Sequence, residues 1–128
     1  ILIESFYDPN ILFDVYDVNG SNIITKCKSF NKNGDSHFFI DDSNYLYVTG
    51  SDTYGQLGLN YQSNNSDRNG LSQNEYFKDT IAFISNGVTA EHVFVYTENK
   101  KLYAFGANYY NQLGYSNAKT GNTQATSV

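Results

Sequence analysis

Leu-Tyr-Val-Thr-Gly-Ser-Asp-Thr-Tyr-Gly-Gln-Leu-Gly occupies residues 46–58, and Leu-Tyr-Ala-Phe-Gly-Ala-Asn-Tyr-Tyr-Asn-Gln-Leu-Gly occupies residues 102–114. Leu46 and Leu102, Gly50 and Gly106, and Gln56 and Gln112 are each 56 positions apart by subtraction. Self-similarity at a fixed period marks a repeat architecture, in which each unit buries its apolar face against the next. Such units make scaffolds and surfaces more often than catalytic centres.

The likeness continues upstream. His37 precedes Phe38-Phe39-Ile40, and His92 precedes Val93-Phe94-Val95. The distance from His to Gly is 13 residues in the first copy and 14 in the second, counting His37 to Gly50 and His92 to Gly106. The spacing predicts a one-residue insertion in the turn at 42–44 or 98–100. It also puts the two histidines in one repeat slot, where a shared structural hydrogen bond is expected rather than metal binding or acid–base chemistry. Gly34 and Gly87 precede the histidines, and apolar runs at 23–25 and 80–84 precede the glycines. The repeats thus run from 23 to 60 and from 80 to 117, with a polar inter-repeat loop at 61–79.

The apolar runs are short, rich in β-branched and aromatic residues, and bounded by Asn, Asp, Ser and Gly, which is the pattern of strands. No window shows sustained helical periodicity. Asn19-Gly20, Asn33-Gly34 and Asn86-Gly87 tolerate the positive φ of tight turns, and residues 11–18 and 23–29 read as a hairpin around the first of these. Within Gly55-Gln56-Leu57-Gly58 the glycines suit a sharp bend, the Leu a core position, and the Gln amide the unpaired backbone groups of the turn. The second copy has Asn111 in place of Gly55, ahead of Gln112, Leu113 and Gly114. Asn is the residue after Gly that best tolerates left-handed backbone, so the column reads as structural.

Gly50-x-x-x-Tyr54-Gly55-Gln56-Leu57-Gly58, with His37 and a Leu-Tyr strand ahead of it, resembles the regulator-of-chromosome-condensation repeat. The second copy, from His92 through Gly106 to Gly114, resembles it too. The family often has Trp before the first glycine, where this chain has Thr49 and Phe105. The resemblance implies an all-β propeller, usually of seven four-stranded blades, of which a chain of 128 residues supplies about two to three. The remaining blades are then expected from the same or a longer polypeptide, because a blade needs neighbours on both faces. A small two-repeat β domain is the other architecture.

Hydrophobic residues make up 40% of the chain and charged residues 16%, a globular rather than a disordered balance. The net charge of −5 and the absence of a basic cluster argue against direct nucleic-acid binding, which needs grouped cations to release counterions. No run is long enough for a membrane span. Cys27 is the single cysteine, which points to a reducing, intracellular compartment, cytoplasm or nucleus. Asp35, Asp41 and Asp42 lack the alternating ligands of a calcium loop. The glycine turns lack the Lys-Ser/Thr of a phosphate loop. No catalytic, metal or cofactor residue is expected, and the chain reads as a non-enzyme.

The expected function is protein–protein interaction through the loops at one end of a rigid propeller. The candidate contact loop is the polar segment with Asn64, Asn65, Asp67 and Arg68; Tyr54, Tyr109 and Tyr110 hold exposed aromatic turn positions, which suit packing against the adjacent blade at least as well as a partner contact. The resemblance also admits guanine-nucleotide exchange on a small GTPase, although Leu71 is the sole aliphatic between Asn60 and Phe77 and no apolar wedge is evident. A structural subunit of a large assembly is the third reading.

Overall fold

The computed structural model describes residues 5–7, 11–59, 68–75, 77, 81–114 and 121–127. All regular structure in these residues is β: β1 (Ser5–Tyr7), β2 (Phe13–Tyr16), β3 (Asn22–Asn33), β4 (Ser36–Asp41), β5 (Leu46–Gly50), β6 (Arg68–Asn74), β7 (Ile81–Ile84), β8 (His92–Thr97), β9 (Leu102–Ala107) and β10 (Gly121–Ser127). No helix among the described residues is long and apolar enough to cross a membrane.

Two antiparallel sheets result. In the first, β3, β4, β5 and β6 lie in sequence order, and β1 and β2 both pair along the outer edge of the long β3. In the second, β7, β8, β9 and β10 lie in sequence order. Each therefore contains a four-stranded meander, the unit of a propeller blade, to which the first sheet adds β1 and β2. Residues 11–29 form the expected hairpin: β2 runs antiparallel to β3, and Asp17 N–H donates to Ser21 O at 2.9 Å across the Asn19-Gly20 turn. The Asp17 carboxylate also accepts from the N–H groups of Asn19 and Ser21.

The expected loop at 61–79 contains a strand. Arg68–Asn74 reads Arg-Asn-Gly-Leu-Ser-Gln-Asn, with no apolar alternation to announce it, and forms β6 because the edge of β5 offers it a ladder. Asn74 and Phe77 are both buried. Residues Asn64, Asn65 and Asp67 lie outside the described residues.

The sheets meet through one apolar core. Phe38, Ile40, Leu46 and Val48 of the first sheet and Val93, Val95, Phe105, Ile81 and Ile84 of the second join Leu57, Leu59 and Phe77 in one buried cluster. Full burial of such side chains contributes roughly 1.5–3 kcal/mol each. Phe77 braces the joint from the inter-repeat segment, its ring 5.4 Å from Tyr103 and 5.9 Å from Phe105. Polar ties reinforce it at the edge. Asn31 Nδ2 donates to Ile84 O at 3.0 Å, Asn33 Nδ2 donates to Ser85 O at 2.8 Å, and Gly34 N–H donates to Gly87 O at 2.9 Å. Cys27 is fully buried in the first sheet; its thiol donates toward Ser29 O and Ile40 O, and burial pushes its pKa up to about 11.

The hydrogen bonds correct the sequence register. Asp41 N–H donates to Tyr45 O, and Thr97 N–H donates to Lys101 O. Asn44 (φ 66°) and Lys100 (φ 67°) hold the same left-handed place in these turns. The two turns are equal in length and carry no insertion. Ser36 pairs with Gly50, and His92 pairs with Gly106, so His92 occupies the slot of Ser36, and His37 that of Val93. The length difference lies earlier. Cys27 pairs with Asp41 and Ile81 with Thr97, a spacing of 54 against 56 by subtraction. The second copy therefore has two more residues between its first two strands.

With the register set, the packing is head to tail. Phe38 and Ile40 alternate with His37 and Phe39 on β4, so the two pairs point to opposite faces. The first sheet buries the Phe38 face, whereas the second buries Val93 and Val95, the columns of His37 and Phe39. Unlike faces meet at the joint, as stacking of equivalent units requires.

Candidate protein-interaction face

The repeated turns are alike bond by bond. Gly55 N–H donates to Asp52 O and Asn111 N–H to Asn108 O; Gly58 N–H donates to Gly55 O and Gly114 N–H to Asn111 O. Gln56 Oε1 accepts from Tyr54 N–H at 2.7 Å, and Gln112 Oε1 accepts from Tyr110 N–H at 2.8 Å. Leu57 and Leu113 are fully buried. Gly55 has φ 78° and Asn111 φ 58°, so both columns are left-handed and the asparagine keeps the bend that the glycine makes.

A cap stands in the turns beside the Gln. Asp52 Oδ1 accepts from Leu57 N–H at 3.0 Å, and Asn108 Oδ1 accepts from Leu113 N–H at 3.1 Å. An Asx five residues ahead of each Leu is the sequence signal for it. In the first blade Asn74 of β6 adds a second tie, its Nδ2 donating to Leu57 O at 3.1 Å and Gly58 O at 2.7 Å.

Gly50 and Gly106 enter these turns at φ 101° and 106°. A Cβ on Gly50 would stand 2.1 Å from Asp35 O, and one on Gly106 would stand 2.5 Å from Glu91 O. The same carbonyls accept from Ser51 N–H and Ala107 N–H. The glycine thus lets the strand end lie against the preceding connection.

The histidines sit apart in the repeat and make ring contacts. His37 stacks on Phe30 at 6.0 Å, and His92 meets Phe94 edge-on at 5.8 Å. Among the described residues neither imidazole is hydrogen-bonded, so the expected shared bond is replaced by aromatic packing. Burial lowers the pKa of both, with Lys32 adding to the effect at His37 and Asp35 opposing it. Asp35 and Asp41 stand at opposite ends of β4, and Asp41 Oδ1 accepts from Ser43 N–H and Tyr45 N–H. No group of three or more His, Cys, Asp or Glu among the described residues is placed to hold a metal.

The exposed chemistry of this end is aromatic. Tyr54 and Tyr109 meet edge-on at 5.7 Å across the two blades. Tyr109 is 58% exposed and Tyr110 89%. The neighbouring Tyr109 and, after it, Glu91 raise the pKa of the Tyr54 phenol. Arg68 opens β6 opposite Gly50, at the same end of the sheet.

Two stacked antiparallel meanders joined by an unlike-face core define a repeat β-propeller. No family model matches the chain. Over 75 residues, 59% of the chain, it is 32% identical to the serine/threonine-protein kinase Nek9 of Mus musculus, of which the match covers 7%. Human WBSCR16 superposes with a TM-score of 0.63 at 14% identity, over 80% of this chain and 25% of that one. Yeast RCC1 (Prp20), in its complex with Kap60, superposes with a TM-score of 0.62 at 14% identity, over 84% of this chain and 27% of that one. The chain spans about a quarter of each of these two structures and a much smaller share of the kinase. Its fold is that of the regulator-of-chromosome-condensation propeller, and the described residues build two adjacent blades of it.

Proposed function

We propose that this chain is part of a non-enzymatic interaction scaffold that presents the turn end of its blades to a protein partner. The observation that carries the reading is the state of Tyr110. Its side chain is 89% exposed while its backbone N–H is held by the Gln112 amide. A tyrosine offered from a fixed turn gives a large contact area with little ordering entropy left to lose on binding. The complex of yeast RCC1 with Kap60 supports the reading as an instance of a protein that contains this fold and is bound by another protein. The polar segment with Asn64, Asn65, Asp67 and Arg68 is a further candidate for partner contact in this reading. Further blades of the same or a longer polypeptide complete the ring, and the setting is intracellular, without nucleic acid as a ligand.

The test is a photo-crosslinking phenylalanine at position 110 of the full-length protein in its source cells. Discrete protein adducts are expected from position 110 and none from position 100, at the opposite end of the blades. Adducts from 100 alone would overturn the reading. Guanine-nucleotide exchange is the finer alternative, carried by the fold resemblance; unchanged GDP release from small GTPases at saturating protein removes it. A wall-like subunit of a large assembly would instead co-purify through high salt.

A further inference from the structure

The two extra residues of the second blade build something. They lengthen the connection from β7 to β8, residues 85–91, which rises beside the second repeat turn. Between this connection and the turn lies an open concavity of about 410 Å3. Val88, Thr89 and Glu91 form one wall, Tyr109 and Tyr110 the other, and His92 lies between them. The wall is anchored: Ala90 N–H donates to Gly87 O at 3.3 Å, Gly87 N–H donates to Lys32 O at 3.1 Å, and Glu91 O accepts from Ala107 N–H at 2.9 Å. In the first blade Asn33 and Ser36 are joined by Gly34-Asp35 alone, so the matching connection there is two residues shorter.

The chemistry of this concavity is specific. Val88 is 54% exposed and offers aliphatic surface, and Tyr109 and Tyr110 offer exposed aromatic surface. Glu91 is the one acidic residue in its lining, and no Lys or Arg lines it. Four of the five described lysines, Lys26, Lys28, Lys100 and Lys101, stand toward the other end of the strands, around the 42–44 and 98–100 turns. An aliphatic stem between aromatic faces, ending at a carboxylate, is the environment that a long cationic side chain seeks. Arginine fits it better than lysine, because its planar guanidinium stacks on rings while donating to a carboxylate.

We propose that the concavity between the 85–91 connection and the 109–112 turn captures an arginine side chain of the protein partner. The proposal rests on the interaction function above and names the chemistry of the partner there. It is a property of the second blade alone.

The experiment is a fluorescence-anisotropy titration of the full chain with a labelled Gly-Arg-Gly-Arg-Gly peptide and its citrulline counterpart, which keeps the shape and removes the charge. The arginine peptide is expected to bind at least about tenfold more tightly, and Glu91→Gln to erase that preference, since one desolvated cation–π or charge contact is worth on the order of 1–2 kcal/mol. Glu98→Gln removes the same charge from the exposed 98–100 turn and is expected to change affinity by less than about twofold. Tyr110→Ala, with an unchanged thermal midpoint, should weaken the arginine peptide as Glu91→Gln does. Equal binding of the two peptides, no binding of either, or equal effects of Glu91→Gln and Glu98→Gln would overturn the proposal. If crosslinking at position 110 still yields protein adducts in that case, the scaffold reading stands and only the arginine site falls.

Discussion

Among the described residues, the first blade shows ties to its repeat turn from two sides, and the second from one. Gln56 is 2% exposed, its Oε1 accepts from Tyr54 N–H, and its Nε2 donates to Ser51 Oγ at 3.3 Å, while Asn74 of β6 holds the carbonyls of Leu57 and Gly58. In the second blade Gln112 is part-exposed, and its described bond is the one to Tyr110 N–H. The shared columns are those the backbone demands: the glycine at the strand end, the Asx cap, the amide and the left-handed bend. Among the columns that differ, that of Thr53 and Tyr109 is exposed in both copies. The two histidines look like a shared column and are not one, which shows that an aligned side chain is a weaker marker of register than an aligned hydrogen bond.

That comparison can be broken at its strongest point first. Gly50→Ala and Gly106→Ala each drive a Cβ into a backbone carbonyl at positive φ, and each is expected to cost about 3–5 kcal/mol in urea denaturation. Gly50 should be the worse, since its clash is closer. A loss under 1 kcal/mol at either would mean that the preceding connection yields, and that the column is not a structural constraint.

Next come the amides. Gln56→Ala strands the Tyr54 N–H beside a buried turn and should cost about 2 kcal/mol, whereas Gln112→Ala leaves Tyr110 N–H within reach of water and should cost about 1 kcal/mol. Equal losses would show that the burial difference between the blades carries no energy.

The histidines give the pH dependence. Both imidazoles are held below their ordinary pKa, so below pH about 6.5 the unfolded chain takes up protons that the folded chain resists. Stability is therefore full above that pH and falls as the pH drops through it toward the folded-state values. NMR titration should show both groups protonating later than free histidine on acidification. His37→Val, which installs the residue of its true counterpart Val93, should lessen the loss on acidification. If the loss on acidification is unchanged, His37 does not carry the pH dependence.

The smallest effect tests the bend itself. Asn111→Gly should change stability by less than about 0.5 kcal/mol, because φ 58° suits both residues, while Gly55→Ala at φ 78° should cost about 1 kcal/mol. Thermal midpoints of the two variants are enough to rank them.

The strands and the propeller were legible because their columns repeat and their apolar runs are bounded by turn residues. β6 was not: Arg68–Asn74 is polar, without alternation, and is made a strand by the free edge of β5 rather than by its own propensity. The register of the histidines was not, since the indel falls in the connection ahead of β4 and β8, where neither copy has enough residues in common to show it. The Asx cap was present in the sequence as Asp52 and Asn108, one column apart from the residues that draw the eye. The concavity at Glu91 is invisible in the chain, because its walls are about 20 residues apart in sequence and only the ladder between β8 and β9 brings them together.

The added length of the 85–91 connection leaves the stacked columns on either side of it undisturbed: His92 still pairs with Gly106, as Ser36 does with Gly50. Loop closure entropy rises only about 0.6 kcal/mol for each doubling of loop length. This connection is therefore a graft point. A foreign recognition segment inserted after Val88 would ride on a finished framework, and the repeat could acquire new specificities there without renegotiating its fold.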